Sequence, residues 1–467
     1  MSLVAPAPLA GSRIPSAVAR SAASNAGSLR DPAVDLVRAA CLIAVVAVHA
    51  LMVGVSAPGG VVQLENALEA WDGFTVFSWF AQMMPLFFVL GGFASATHLR
   101  RVRAGRVGAG DYVALRLRRL LPVPLAAALA VVIALAGLTG AGLDPEFLAE
   151  AGWRISQPLW FLGVYVLCSA LVPAALRLHE RAPARTVAAL GLGIVAVDVV
   201  RAATGIDAVG FANLLFVWLF VQQLGFWLAD GRTPSLRQAG LAVLAIAALM
   251  LTGLSPANLF EALNPPTAAL ALLGIVQLAV FSALRSRLRA WAALPRVQRV
   301  SDAINGAAMT IYSWHMPVVV LLAGLLLLAA PVAGSLLPAP LAPEWWLSRP
   351  VWLAVASFSV AGVVALAVRL ERRPRPSSQS GQNEARRSGA ISARSRAAIT
   401  TLAVLAGAGG VLIILAATGA LWAWVIGATM MGAAIKLATP LPAPSPLLSG
   451  TGVDVTQNAN ATPSRIP

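Results

Sequence analysis

The chain has 467 residues, 58% of them hydrophobic and 11% charged, with 34 Lys and Arg against 19 Asp and Glu. Its mean hydropathy is +0.79, more apolar surface than a soluble chain of this size needs, so the composition predicts a polytopic membrane protein. The formal charge of +15 does not point to nucleic acid, because the basic residues lie between apolar runs without the interleaved aromatics that stack on single strands.

Residues 1–32 are rich in Ala, Ser and Pro, carry Arg13, Arg20 and Arg30, and have no apolar core. They read as a disordered tail, not as a cleaved signal peptide. Apolar runs of roughly span length follow near 38–55, 75–97, 120–138, 158–176, 186–203, 209–228, 239–254, 267–284, 306–330, 351–368 and 397–419. Residues 371–396 are polar and read as a flexible linker. The last apolar run reaches about residue 434, with Trp422 and Trp424 suited to an interfacial belt. It is read as one tilted eleventh span over 397–434, with a two-pass or re-entrant run as the alternative, followed by a Pro/Ser/Thr-rich tail over 435–467. The fold class predicted is all-α.

The arginines orient these spans. Arg100, Arg101, Arg103, Arg106, Arg116, Arg118 and Arg119 crowd one connection. Arg177, Arg181 and Arg185, then Arg232 and Arg237, then Arg285 to Arg299, and then the set from Arg369 to Arg396 occupy every second connection after it. The alternate connections hold Glu65, Glu69, Asp72, Asp144, Glu146 and Glu261 instead. The positive-inside rule then makes the first set, and the amino terminus, cytoplasmic, in a bacterial-type plasma membrane, with the tail after the eleventh span on the outer side.

Within the first run, Arg38 and His49 lie eleven residues apart, which returns a helix to within roughly 20° of its starting direction after roughly 16 Å of rise. Arg38 would sit at the cytoplasmic mouth, beside its (i, i+3) neighbour Asp35, and His49 near the bilayer middle, where a histidine is a functional hypothesis by default. His315, in YSWHMPVVVLL with Tyr312, falls at similar depth in the ninth run. The two histidines either meet at a buried polar cavity or each bonds a neighbouring helix. His98 and His179, at span ends beside arginines, read as interfacial side chains. Arg116, Arg118 and Arg119 suit phosphate binding, although topology explains them equally well. Asp198 and Arg201 read as a structural ion pair, and Asn213, Gln222, Gln223 and Gln277 as interhelical glue or cavity lining. The two cysteines, Cys41 and Cys168, form no CxxC motif, and no metal site, P-loop, dinucleotide fingerprint or nucleophile elbow is present.

Seven blocks in order, Arg38-x10-His49, MPLFFVLGGF, RLRRLLP, QPLWFLGVYVL, WLFVQQLGFWLADG, NPPTAALALLGIVQ and YSWHMPVVVLL, resemble membrane acyltransferase family 3 over residues 33–370, a ten-span core. The resemblance implies O-acyl transfer from acyl-coenzyme A, a co-substrate and not a bound cofactor. The acceptor implied is a hydroxyl on an envelope glycan, glycolipid or natural product, with acetyl or another short chain transferred. It also implies that Arg38 and His49 are essential, with His49 a base or nucleophile and Arg38 a donor ligand. Arg116, Arg118 and Arg119 would assist at the coenzyme A phosphates, and His315, Asp35 and Tyr312 are candidate cavity residues. A transporter using His49 and His315 as a proton relay is the alternative. The extra span and tail are departures from the family pattern, and the tail is too short for a separate catalytic domain.

Overall fold

A computed structural model describes residues 31–56, 63–104, 108–333, 338–371 and 393–439. The tail expected over 1–32 except its last two residues, the linker from 372 to 392 and the tail from 440 to 467 lie outside the described residues. Over the described part the chain is helical, with ten stretches long and apolar enough to cross a bilayer. Nine of them fall within residues 32–370.

The first span, α1 (Pro32–Met52), starts where its sequence instructs: Asp31 caps it by accepting from the Ala33 amide at 3.0 Å, and Pro32 takes the first turn, where no amide is needed. The same Asp31 carboxylate receives Arg285 and Arg289, which fastens the start of α1 to the end of α12 (Ala268–Ala292). Two short strands follow, β1 (Val53–Ser56) and β2 (Gln63–Asn66), paired antiparallel with Val53 opposite Asn66.

The second span is broken into α2 (Phe74–Ala81) and α3 (Met84–Ala104) just before Pro85, whose ring cannot continue a helical ladder. Side chains repair the break. Gln82 Oε1 accepts from the Met84 amide at 3.3 Å, Gln277 Oε1 accepts from the Leu86 amide at 2.8 Å, and Gln277 Nε2 donates to the Gln82 carbonyl at 2.6 Å. The third run is also two helices, amphipathic α4 (Ala109–Leu120) and α5 (Pro122–Gly140), and the fourth is α6 (Pro145–Ser156) and α7 (Leu159–Arg181). After α8 (Pro183–Thr204) and the single turn α9 (Asp207–Gly210), α10 (Asn213–Ala229) crosses α3 closely. A Cβ on Gly225 would collide with the Val89 carbonyl oxygen, and one on Gly92 with that of Gln222. The GGF and QLGF blocks are therefore a backbone-to-backbone crossing.

The remaining core helices are α11 (Leu236–Leu251), α12, α13 (Pro295–Gly306), α14 (Ala308–Ala333) and α15 (Pro343–Glu371). Helix α11 has 16 residues, so at roughly 24 Å it is shorter than the hydrocarbon layer. Helix α13 was not expected. It is tied to α1 through Asn305 Nδ2, which donates to the Asp35 carbonyl at 2.8 Å.

The carboxy-terminal part corrects the expected single eleventh span. Two helices, α16 (Ala393–Ala416) and α17 (Leu421–Leu437), form a hairpin. Thr418 and Gly419 both take positive φ, 47° and 71°, to turn the chain. Gly410 and Gly427 then let the two backbones approach, since a Cβ on either would meet the other's carbonyl oxygen. The apolar run contains no charge to mark this turn, which is why composition concealed it. The end of α17 consequently lies at the arginine-rich end of the bundle, where α16 begins, not at the opposite one. Trp424 is buried in this hairpin and is no belt residue.

Two further expectations change, and a third, left open between glue and cavity lining, resolves. Asp198 forms no ion pair with Arg201: its carboxylate accepts from Asn213 Nδ2 and the Ala268 amide, both at 2.8 Å, while Arg201 donates to the Leu254 carbonyl. His179 is buried, not interfacial. Its ring nitrogens lie 2.9 Å from Gln223 Oε1 and 2.9 Å from Asp230 Oδ2. Arg100 and Arg103 complete that network with Asp230 and Glu180. The polar residues of the spans are glue: Gln222 donates to the Cys168 carbonyl and Gln223 to that of Ala175.

Candidate functional site

The last full turn of α1 carries His49 into the bundle. Its Nδ1 lies 2.9 Å from the Val45 carbonyl four residues back. A carbonyl only accepts, so Nδ1 carries the hydrogen and the neutral ring keeps its lone pair on Nε2. The same turn is tied to α15, because Trp352 Nε1 donates to the Ala50 carbonyl, one residue past His49, at 2.8 Å.

His315 on α14 meets His49 ring to ring, with centroids 5.1 Å apart and planes inclined by 51°. Its Nδ1 donates to the Tyr312 carbonyl at 2.7 Å, and its Nε2 is buried without a hydrogen-bond partner. His315 is fully buried and lines no cavity described here; it stands behind His49. Tyr312 does reach a cavity wall, but its hydroxyl is committed to the Pro158 carbonyl at 2.8 Å.

Two cavities meet at His49. The smaller, about 470 Å³, extends toward the arginine-rich end and is lined by Arg38, His98, Arg116, Arg119 and Asn305 together with Phe87, Phe161 and Tyr165. Among the described residues no Asp or Glu lines it. Arg38 forms no ion pair with Asp35 as the spacing suggested: its Nε is buried without a partner and its guanidinium lies 5.9 Å from the Phe87 ring centre. Arg116 is pre-oriented, donating through Nε to Tyr112 Oη at 3.1 Å and through a terminal nitrogen to Ser95 Oγ at 3.2 Å. Arg118 is exposed and lies outside this lining, so the structure separates it from its neighbours Arg116 and Arg119.

Among the described residues, Arg38, Arg116 and Arg119 have no carboxylate within 4.0 Å, whereas Arg100, Arg103, Arg285 and Arg289 are all paired. Three positive charges without a carboxylate partner thus line one chamber, where lower effective dielectric strengthens their attraction for an anion. His98 belongs to this chamber although its sequence position beside Arg100 and Arg101 gave it an interfacial reading. No local signal marks this, since it depends on which face of α3 turns toward Tyr112 of α4, whose ring centre lies 5.9 Å from that of His98.

The larger cavity, about 1490 Å³, extends from His49 past Asn66, Glu69, Arg154, Gln157, Asn258 and Glu261, and its lining also reaches Thr400 and Arg177 toward the arginine-rich end. Both cavities share His49, Trp160 and Phe260. Among the described residues no group of three or more His, Cys, Asp or Glu side chains is placed to hold a metal ion.

No curated protein and no solved structure matches the chain. A family model described as an acyltransferase domain matches residues 31–368, which carry every site residue named above. A histidine with a free lone pair at the meeting point of a cationic chamber and a polar vestibule sits inside that matched region, and the chain belongs to acyltransferase family 3 as a multi-pass membrane acyltransferase.

Proposed function

We propose that this acyltransferase moves a short acyl group, acetyl or one of similar size, from acyl-coenzyme A to a hydroxyl of an envelope glycan, glycolipid or natural product. The observation that carries the reading is that His49 lines both cavities, one cationic and without carboxylates among the described residues, the other larger, mainly apolar and carrying both Arg154 and the carboxylates Glu69 and Glu261. The donor enters from the arginine-rich end, which the positive-inside rule makes cytoplasmic, along with the amino terminus. Arg38, Arg116 and Arg119 hold the anionic part of coenzyme A, with His98 beside them, while the thioester reaches His49. The acceptor hydroxyl approaches through the other cavity.

In this reading His49 Nε2 takes the hydroxyl proton as oxygen attacks the thioester carbonyl. The C–O bond forms, the C–S bond breaks, and the imidazolium returns its proton to the departing sulfur. His315 supports the His49 ring from behind and touches neither substrate. A proton-relay transporter would need both histidines on the path, and His315 lines neither cavity.

The test is to reconstitute the full chain and follow loss of acyl-coenzyme A thioester together with acylation of extracted envelope glycans and lipids. Wild type should consume thioester and label an acceptor, and His49→Ala should do neither. Equal turnover by the variant would remove His49 from the mechanism. Transport of an acceptor without thioester loss would remove the enzyme reading of the donor.

A further inference from the structure

We propose that the α16–α17 hairpin completes a groove for the aliphatic tail of an amphiphilic acceptor, whose hydroxylated head then reaches His49. The inference rests on the acyltransferase reading above and names the physical class of its acceptor. The hairpin lies beyond residues 31–368 of the family match, so this wall is built outside the matched domain.

The larger cavity does not end at the polar vestibule. It continues along the seam between α7 and α16, where Gly163, Leu167, Ala170 and Ala174 of one helix face Thr400, Val404, Ala408 and Leu412 of the other. The helices run antiparallel and touch near Gly163, where an added Cβ would stand 3.3 Å from Val411 Cγ1. Small side chains on both flanks keep the seam a furrow instead of a filled contact.

Three features select the occupant. From Gly163 to Arg177 the furrow follows α7 for roughly 21 Å, a large share of the roughly 30 Å hydrocarbon layer. It opens sideways: Ala174, Thr401, Leu412 and Ala416 are exposed where lipid surrounds the bundle. Its lining is graded: Gly163, Leu167, Ala170, Ala174, Val404, Ala408 and Leu412 are apolar along the seam, with Arg177, Thr400 and Thr401 at its far end, whereas Asn66, Glu69, Gln157 and Glu261 line the part that includes His49. An aliphatic chain needs no hydrogen bonds and fits the first part; a hydroxylated head needs them and fits the second. A water-soluble acceptor would use only the vestibule and leave the furrow without a purpose.

The full chain is placed in phosphatidylcholine vesicles with a trace of hexadecyl glucoside carrying a diazirine in its alkyl chain. A parallel sample carries the same diazirine in a phosphatidylcholine acyl chain. After irradiation, labelled peptides are mapped. The glucoside should label 163–177 and 400–416 about tenfold more than the exposed Leu241 and Leu244 face of α11, a bias equivalent to about 1.4 kcal/mol, whereas phosphatidylcholine should label both regions alike. Ala174→Trp with Thr401→Trp fills the furrow from exposed rim positions, without disturbing the interior, and should remove the bias. Even labelling by the glucoside overturns the proposal. So does an equal bias with phosphatidylcholine, which would make the furrow a bulk-lipid site. Labelling requires no acyl transfer, so thioester consumption measured on the same samples reports separately on the acyltransferase reading.

Discussion

The imidazole rings of His49 and His315 lie 5.1 Å apart, one on a cavity wall and the other fully buried behind it. Both use Nδ1 to bond a carbonyl of their own helix, so the two rings present Nε2 as their free nitrogen. Only that of His49 faces open space. The pair is therefore unequal, and replacing the two residues should have unequal consequences. His49→Ala should lower kcat by about 100- to 10,000-fold, the usual worth of a general base. His315→Phe keeps a ring behind His49 and should lower kcat by about tenfold while leaving KM for acyl-coenzyme A unchanged. Steady-state thioester consumption measures both.

The cationic chamber should be separable residue by residue. Arg38→Ala and Arg116→Ala each remove a charged hydrogen-bond donor, worth about 1.5–3 kcal/mol. KM for acyl-coenzyme A should rise about 10- to 100-fold, with the wild-type affinity weakening as salt is added. Arg118→Ala should leave KM within about twofold of wild type, because Arg118 is exposed and outside the lining. An equal loss at Arg118 would make the effect one of general surface charge.

Asp31 gives a pH signature. Burial opposes its ionisation, but hydrogen bonds from Arg289, Arg285 and the Ala33 amide outweigh that cost and hold the carboxyl below its ordinary 3.8. A carboxyl lowered on folding stabilises the folded chain above its unfolded value, and that contribution disappears as pH falls through the folded value. Wild type should lose thermal stability steeply below about pH 4, and Asp31→Ala should flatten this acid limb. The same variant should be less stable at pH 7 by about 1–2 kcal/mol. Thermal melts in detergent at stepped pH would read both effects.

The α3–α10 crossing predicts a packing defect. Gly225→Leu would force a side chain against the Val89 carbonyl and the Phe93 amide, with no flexible neighbour to give way. Overpacking of this kind costs about 1–3 kcal/mol or more. Reduced monodispersity and a lower melting temperature are expected. Gly240→Leu, at a glycine with nothing within 4 Å of its added Cβ, should behave as wild type.

Much of this architecture was legible before any coordinates. The hydrophobic runs and alternating arginine clusters located the spans, and the eleven-residue interval put Arg38 and His49 on one face, because the period of a helix is local and needs no partner. Both residues do line the smaller cavity. The pairing of His49 with His315 was legible only as similar depth, since depth follows from counting residues while ring contact depends on how two helices are turned toward each other.

What the tertiary structure alone decided follows from that distinction. Asp198 and Arg201 share a helix at ion-pair spacing, yet Asp198 bonds Asn213 and the Ala268 amide, because neighbouring helices offered better-placed donors. Arg116 and Arg119 line the chamber and Arg118 does not, a difference fixed by how α4 is turned about its axis, since Arg118 and Arg119 are both exposed. His98 joins them for the same reason. The last apolar run folds back at Thr418 and Gly419, where two left-handed residues reverse a chain whose composition stays apolar throughout. Sequence by itself determined the spans, their alternation and the Arg38–His49 face, since each depends only on composition and helical period. The meeting of two unlike cavities at His49, and the hairpin that extends one of them, depend on helix azimuth and crossing, which only packing in three dimensions determines.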